Sequence, residues 1–217
     1  MIQTQFLPRR VKRYTVLLSA LIALTIFMSP FSKAADSPEL IVRSLFTELL
    51  GELDRHREAN TLTHDNVRDV FSKILDPRID YEALSIWILK DRWTNASTEQ
   101  KNQFTQAFQA YIINTYSLAL AGGENISMDV RDEPQRRNRA TIVTADFAIA
   151  DADPIPIDFR LVEKDGKWVL FDVSFAGVSL AVTFRSDFNY IARDGGIDAV
   201  TRYLNHRAAG NTGRIDP

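Results

Sequence analysis

The hydrophobic period of this chain switches from helical to alternating at Gly122-Gly123, and that change limits the fold more than any motif does. Upstream, apolar residues return at helical spacing; downstream, they alternate with polar ones. The first stripe is Leu40, Ile41, Leu45, Leu49 and Leu53, with Asp36 and Ser37 offering a cap and Pro38 an early-turn residue. A second helix is predicted from His64 to Leu75. Asp76-Pro77 stops it, because the residue before a proline is pushed out of helical backbone. A third starts near Asp80, which can cap it, and carries Leu84, Trp87 and Ile88. Ser97-Thr98-Glu99-Gln100 has the form of a capping box, in which hydroxyl and amide side chains satisfy orphan backbone N–H groups reciprocally. The long helix after it sets Phe104, Ala107, Phe108, Tyr111, Ile112 and Leu118 on one stripe, and the two glycines end it.

Four strands are expected beyond that point. Ile126, Met128 and Val130 alternate, as do Val143, Ala145, Phe147 and Ile149, then Ile155, Ile157, Phe159 and Leu161. A turn at Lys164-Asp165-Gly166 leads into Trp168 to Val173, apolar on both faces. Short polar connections make this an antiparallel meander. Short helices follow near Leu180–Ala192 and Asp198–Leu204, and the tail His206–Pro217 is expected to be disordered. Helices first and strands later imply an α+β fold, a curved sheet of about four strands with helices on one face. Without a linker or internal repeat, residues 35–205 form one domain, helical over 37–121, with the sheet and C-terminal helices over 125–205.

Residues 1–34 read differently. They hold five basic side chains (Arg9, Arg10, Lys12, Arg13, Lys33) and no acidic one, then an apolar run from Val16 to Met28, then Ser32-Lys33-Ala34. That is the pattern of a secretory signal peptide cleaved near Ala34/Ala35. As an uncleaved anchor, the run would reach only ~20 Å against the ~30 Å bilayer core. The formal net charge of −2 averages two unlike pieces, because the remaining 183 residues carry −7. An acidic domain argues against nucleic acid and against general attraction to anionic membranes. With no cysteine, thiolate nucleophiles, zinc–thiolate sites, iron–sulfur clusters and lipid anchors through cysteine are excluded.

Catalytic patterns are missing. His56, His64 and His206 form no i,i+4 pair and read as solvated surface residues rather than metal ligands. No nucleophile elbow, phosphate loop, dinucleotide fingerprint or zinc-protease motif occurs. Asp146 and Asp151-Ala152-Asp153 lack calcium-loop spacing and read as a polar turn. No catalytic residue, metal or cofactor is expected. What remains is an aromatic surplus, with Tyr81, Trp87, Trp93, Phe104, Phe108, Tyr111 and Tyr116 in the helical part. It packs a core or walls an apolar cavity, and periodicity does not separate the two.

Two stretches resemble one family. Ile79-Asp80-Tyr81-Glu82-Ala83-Leu84, running through Leu89 and Trp93 to Ala96-Ser97-Thr98-Glu99-Gln100 and Phe104, is the first. The second is Trp168-Val169-Leu170-Phe171-Asp172-Val173 with Gly177-Val178-Ser179-Leu180, Thr183-Phe184-Arg185-Ser186-Asp187-Phe188 and Gly195-Gly196-Ile197-Asp198. In order and spacing they resemble the MlaC-type periplasmic phospholipid-binding proteins, the toluene-tolerance family. Thr183 stands where that family commonly has Asn, Asp187 where it has Gln, and Lys90-Asp91-Arg92 where it has a Gly-Arg-Tyr-like run. The resemblance implies an NTF2-like sheet with helices enclosing an apolar cavity. It also implies a non-enzymatic, monomeric periplasmic carrier that shuttles a phospholipid between an outer-membrane lipoprotein complex and an inner-membrane ABC transporter, maintaining outer-membrane lipid asymmetry.

Candidate wall residues are Ile155, Ile157, Phe159 and Leu161, with Val169 and Phe171 or their opposite-face neighbour Leu170. Val178 and Leu180 stand at the turn into the next helix, and Trp87, Trp93, Phe108 and Tyr111 on the helical side. Arg185 either meets a headgroup at the mouth or pairs with Asp172. Two other functions stay open: a cavity enzyme using Asp172 and Tyr81, and an adaptor that binds only proteins.

Overall fold

The computed structural model describes residues 37–122, 125–150 and 152–210. The segment 1–34 expected to be a signal peptide, the expected cleavage site, Asp36, Gly123, Asp151 and residues 211–217 lie outside the described residues. Five helices come first: α1 Pro38–Glu58, α2 His64–Ile74, α3 Tyr81–Leu89, the short α4 Asp91–Asn95, and α5 Thr98–Ala121. Six strands follow: β1 Ile126–Val130, β2 Gln135–Arg137, β3 Ala140–Ile149, β4 Ile155–Lys164, β5 Lys167–Phe175 and β6 Val178–Ser179. Helices α6 Leu180–Ile191 and α7 Gly196–Ala208 complete the order.

The helix boundaries follow side-chain chemistry. Thr63, Asp80 and Ser179 each accept a backbone N–H at the start of α2, α3 and α6. The capping box at α5 is complete, with Gln100 N–H donating to Ser97 Oγ at 3.1 Å and Ser97 N–H to Gln100 Oε1 at 3.0 Å. Ser37 stands at the N-cap of α1 without a side-chain bond. A 3₁₀ turn, Asp76–Arg78, joins α2 to α3 at the predicted proline stop. No helix among the described residues is long and apolar enough to cross a membrane.

The sheet is antiparallel in the order β1-β3-β4-β5-β6, and β2 continues along the same edge of β3 that β1 uses. The count is therefore six rather than four. β2 is the polar triplet Gln-Arg-Arg and β6 has two residues, so neither shows apolar alternation. Asp165-Gly166 and Ala176-Gly177 both turn at positive φ, the backbone that two-residue hairpin turns need. His206 and Arg207, expected in the tail, lie within α7. Leu40 and Leu118, expected on buried stripes, are 57% and 60% exposed.

One irregularity reorganises the sheet. Arg160 pairs with Asp172 but Leu161 pairs with Leu170, so β5 has one residue more than β4 at Phe171. Such a bulge reverses which residues face which side. Trp168 and Leu170 before it, and Val173 and Phe175 after it, all come to the same face as Ile157, Phe159 and Leu161. That is why Trp168 to Val173 reads as apolar on both faces.

Candidate functional site

Between this sheet face and the helices lies a cavity of about 360 Å³. Ile157, Phe159 and Leu161 form its floor with Trp168, Leu170, Val173 and Phe175, and Ile126, Met128, Phe147 and Ile149 extend it across β1 and β3. Ile41, Leu45 and Phe46 of α1, Phe71 of α2 and Leu75 just after it, Ile112 and Tyr116 of α5, and Leu180 and Phe184 of α6 cover it. Ile149 and Phe175 are both lining and exposed, so the wall reaches water at that end of the sheet.

Of the residues singled out from sequence, Ile157, Phe159, Leu161, Phe171 and Leu180 line the cavity, as does Leu170. Ile155 shares their face, opposite Phe147, but stands at the sheet end, 46% exposed and outside the wall. Val169 pairs with Val162 on the other face. Val178, in β6, is 63% exposed and not part of the wall.

The helical aromatics go elsewhere. Phe108 is wholly buried among Phe104, Phe184 and Phe188, at ring separations of 5.7, 5.3 and 5.6 Å. Trp93 packs on Phe104 and Tyr111 on Phe184. Trp87 meets Phe171 edge-on, and the Arg185 guanidinium lies 4.4 Å from the Trp87 ring centroid. These residues build a filled core beside the cavity, and Phe184 belongs to both. A helix stripe that faces a void has the same spacing as one that faces packed side chains, so Ile41, Leu45, Phe71 and Leu75 gave no distinguishing signal.

Two charged residues line the cavity, Arg78 and Asp172. The Asp172 carboxylate is buried and occupied. It accepts from Ser179 Oγ at 2.6 Å and from the Ala181 N–H at 3.0 Å, and Arg160 Nη1 stands 3.8 Å away. Arg160, not Arg185, is therefore its cation, and Arg185 stacks on Trp87 instead. The carboxylate ties β5 to the first turn of α6.

The Tyr81 hydroxyl is likewise committed, donating to Asp76 Oδ1 at 2.7 Å. Burial, then that hydrogen bond, pushes the Tyr81 phenol well above its usual pKa. Burial, reinforced by Tyr111, does the same at Tyr116 in the wall, so neither phenol adds charge. Burial alone would raise the Asp80 carboxyl. The Lys164 hydrogen bond, the Ala83 N–H and the Lys164 charge outweigh it and hold the group below its usual value.

The histidines do not converge. His56 meets Thr61, His64 lies 3.3 Å from Ser117 Oγ, and His206 is on α7. Among the described residues no three His, Asp or Glu side chains are placed to hold a metal ion.

Comparison with known proteins agrees with this architecture. The family model of the MlaC protein matches residues 43–206. A toluene tolerance protein, ttg2D, of Pseudomonas putida is 26% identical over 178 residues, covering 80% of this chain and 78% of its own length. The binding protein MlaC of an intermembrane phospholipid transport system in Haemophilus influenzae is 21% identical over 206 residues, 91% of this chain and 94% of that one. The solved structure of a phospholipid-binding protein from Ralstonia solanacearum, in complex with a phospholipid, superposes with a TM-score of 0.70 at 19% identity. It covers 79% of this chain and 97% of that chain. The chain belongs to the MlaC family.

Proposed function

We propose that this chain is a periplasmic carrier that holds a phospholipid by its acyl tails. On this reading it moves the lipid between an outer-membrane lipoprotein complex and an inner-membrane ABC transporter, and so maintains lipid asymmetry. The observation that carries the reading is the apolar cavity of about 360 Å³ within an MlaC fold. The relatives named for phospholipid transport, and the similar structure that contains a phospholipid, support it.

The physics suits the task. Two sixteen-carbon tails represent roughly 25 kcal/mol of apolar burial at ~0.8 kcal/mol per CH₂, so free lipid crosses water too slowly to matter. A carrier must also release, and a wall chemically like the membrane interior holds tails without exceeding what the bilayer offers. Catalysis has no support in the cavity, since Asp172 and Tyr81 are each engaged in structural hydrogen bonds rather than with one another. The protein acts as a monomer, and its export signal is removed near Ala34/Ala35.

Native mass spectrometry of the mature protein purified from cells tests this. A bound phospholipid mass is expected. A ligand-free protein that also fails to take lipid from vesicles would leave the adaptor reading in its place.

A further inference from the structure

Arg78 is the cavity's unspent charge. Asp172, the other charged lining residue, has three partners, whereas the Arg78 side chain has no hydrogen bond or ion pair among the described residues. Its backbone is fixed. Arg78 N–H donates to Leu75 O, Ile79 N–H to Asp76 O, and Ile79 bridges to Leu170 of β5. Asp76, two residues before, is held by Tyr81 Oη at 2.7 Å and Gln109 Nε2 at 2.8 Å. Pro77 stiffens the turn further. A half-buried arginine on an apolar wall lays its stem along that wall and turns its guanidinium toward water.

The position gives the cavity a direction. Leu170, beside Arg78, and Phe175, at the exposed apolar end, are five residues apart on β5, about 15 Å at strand rise. The lining therefore has one charged end and one apolar end. A cation on an apolar wall is costly without a counter-charge, and a planar guanidinium fits the paired oxygens of an acid bidentately.

We infer that Arg78 receives the oxyanion of the bound amphiphile's headgroup, with the tails running toward Ile149 and Phe175. This rests on the carrier reading and adds a polarity and a recognition residue to it. The oxyanion is a lipid phosphodiester or a fatty-acid carboxylate.

The test uses delipidated protein mixed with equal amounts of dioleoylphosphatidylglycerol, dioleoylglycerol and oleate in detergent micelles, with bound lipid read by native mass spectrometry. The native chain is expected to prefer an anionic lipid to dioleoylglycerol by tenfold or more. Arg78→Gln should bring that ratio within about twofold while dioleoylglycerol uptake and melting temperature hold. Arg78→Lys should restore part of it, and Arg185→Gln should match the native chain. Whether phosphatidylglycerol or oleate shows the Arg78 dependence identifies the source of the oxyanion. A ratio unchanged in Arg78→Gln overturns the assignment while leaving the carrier reading intact. A native chain that takes none of the three lipids overturns both.

Discussion

The helical aromatic cluster and the cavity beside it are made from the same kinds of residue, yet one is filled and the other hollow. In the cluster, Phe104, Phe108, Phe184 and Phe188 pack ring on ring, Phe184 stacked on Phe188, Phe104 tilted against Phe108 and the other contacts edge to face. A few ångströms away, Phe159, Leu161, Leu170 and Ile112 surround about 360 Å³. At ~24 cal/mol per Å³, a closed, empty void of that size would cost about 9 kcal/mol, an upper bound for a space that reaches water at Ile149 and Phe175. The contrast assigns a division of labour: the cluster holds the fold so that the sheet face need not close on itself.

The largest expected effect comes from breaking the filled side. Phe108→Ala should destabilise the domain by about 3–5 kcal/mol in urea titration, and any molecules that remain folded should keep their lipid. Filling the hollow side should do the reverse. Leu45→Trp is expected to cut co-purified lipid severalfold in mass spectra of extracts, with the melting temperature of the empty protein unchanged or raised. Leu180→Glu should also lose lipid because Leu180 is in the wall, whereas Val178→Glu, two residues earlier and exposed, should retain it. Equal lipid content in the two glutamate variants would show that the wall is misplaced.

Smaller effects sharpen the boundary between the regions. Asp80→Ala removes the cap of α3 and the Lys164 pair, for a loss of about 1 kcal/mol. Because the folded carboxyl lies below its unfolded value, this contribution is present above the unfolded pKa and disappears as pH falls through the folded one. The difference between native chain and variant should therefore shrink in acid melts below about pH 4. Lys90 joins α3 to α4 at φ 51°, ψ −119°, backbone that suits glycine. Lys90→Gly should raise stability by about 1 kcal/mol in the same titration, by relieving strain in the filled half.

Elements whose signals are local were legible in the sequence: the Asp80 and Ser97 caps, the Asp76-Pro77 stop, the Asp165-Gly166 turn and the strict alternation of β4. Ile157, Phe159 and Leu161 follow from that alternation, and they do face the cavity. The helical side was not legible. Trp93 and Phe108 look as much like wall as Leu45 and Phe71 do, because hydrophobic spacing reports a buried side and not whether the space beyond it is occupied. Arg78 gave no signal either, since a lone arginine after a proline has no motif. Its meaning comes from the bridge of Ile79 to Leu170 across 91 residues of chain.

The extra residue at Phe171 makes β5 a strand with two phases. Forced into a regular ladder without the bulge, the same residues would leave one half of the strand out of step. With the Val173 end in place, Trp168 and Leu170 would rotate outward and Val169 inward, trading a tryptophan and a leucine for one valine on the wall. The irregularity thus works as a phase shifter: two apolar half-strands, each too short to line the hollow alone, add up on one side. A chain with Phe171 deleted should therefore keep Trp168 and Leu170 on the wall, since Leu161 would still face Leu170 and Arg160 would still face Asp172, and lose the ring that meets Trp87.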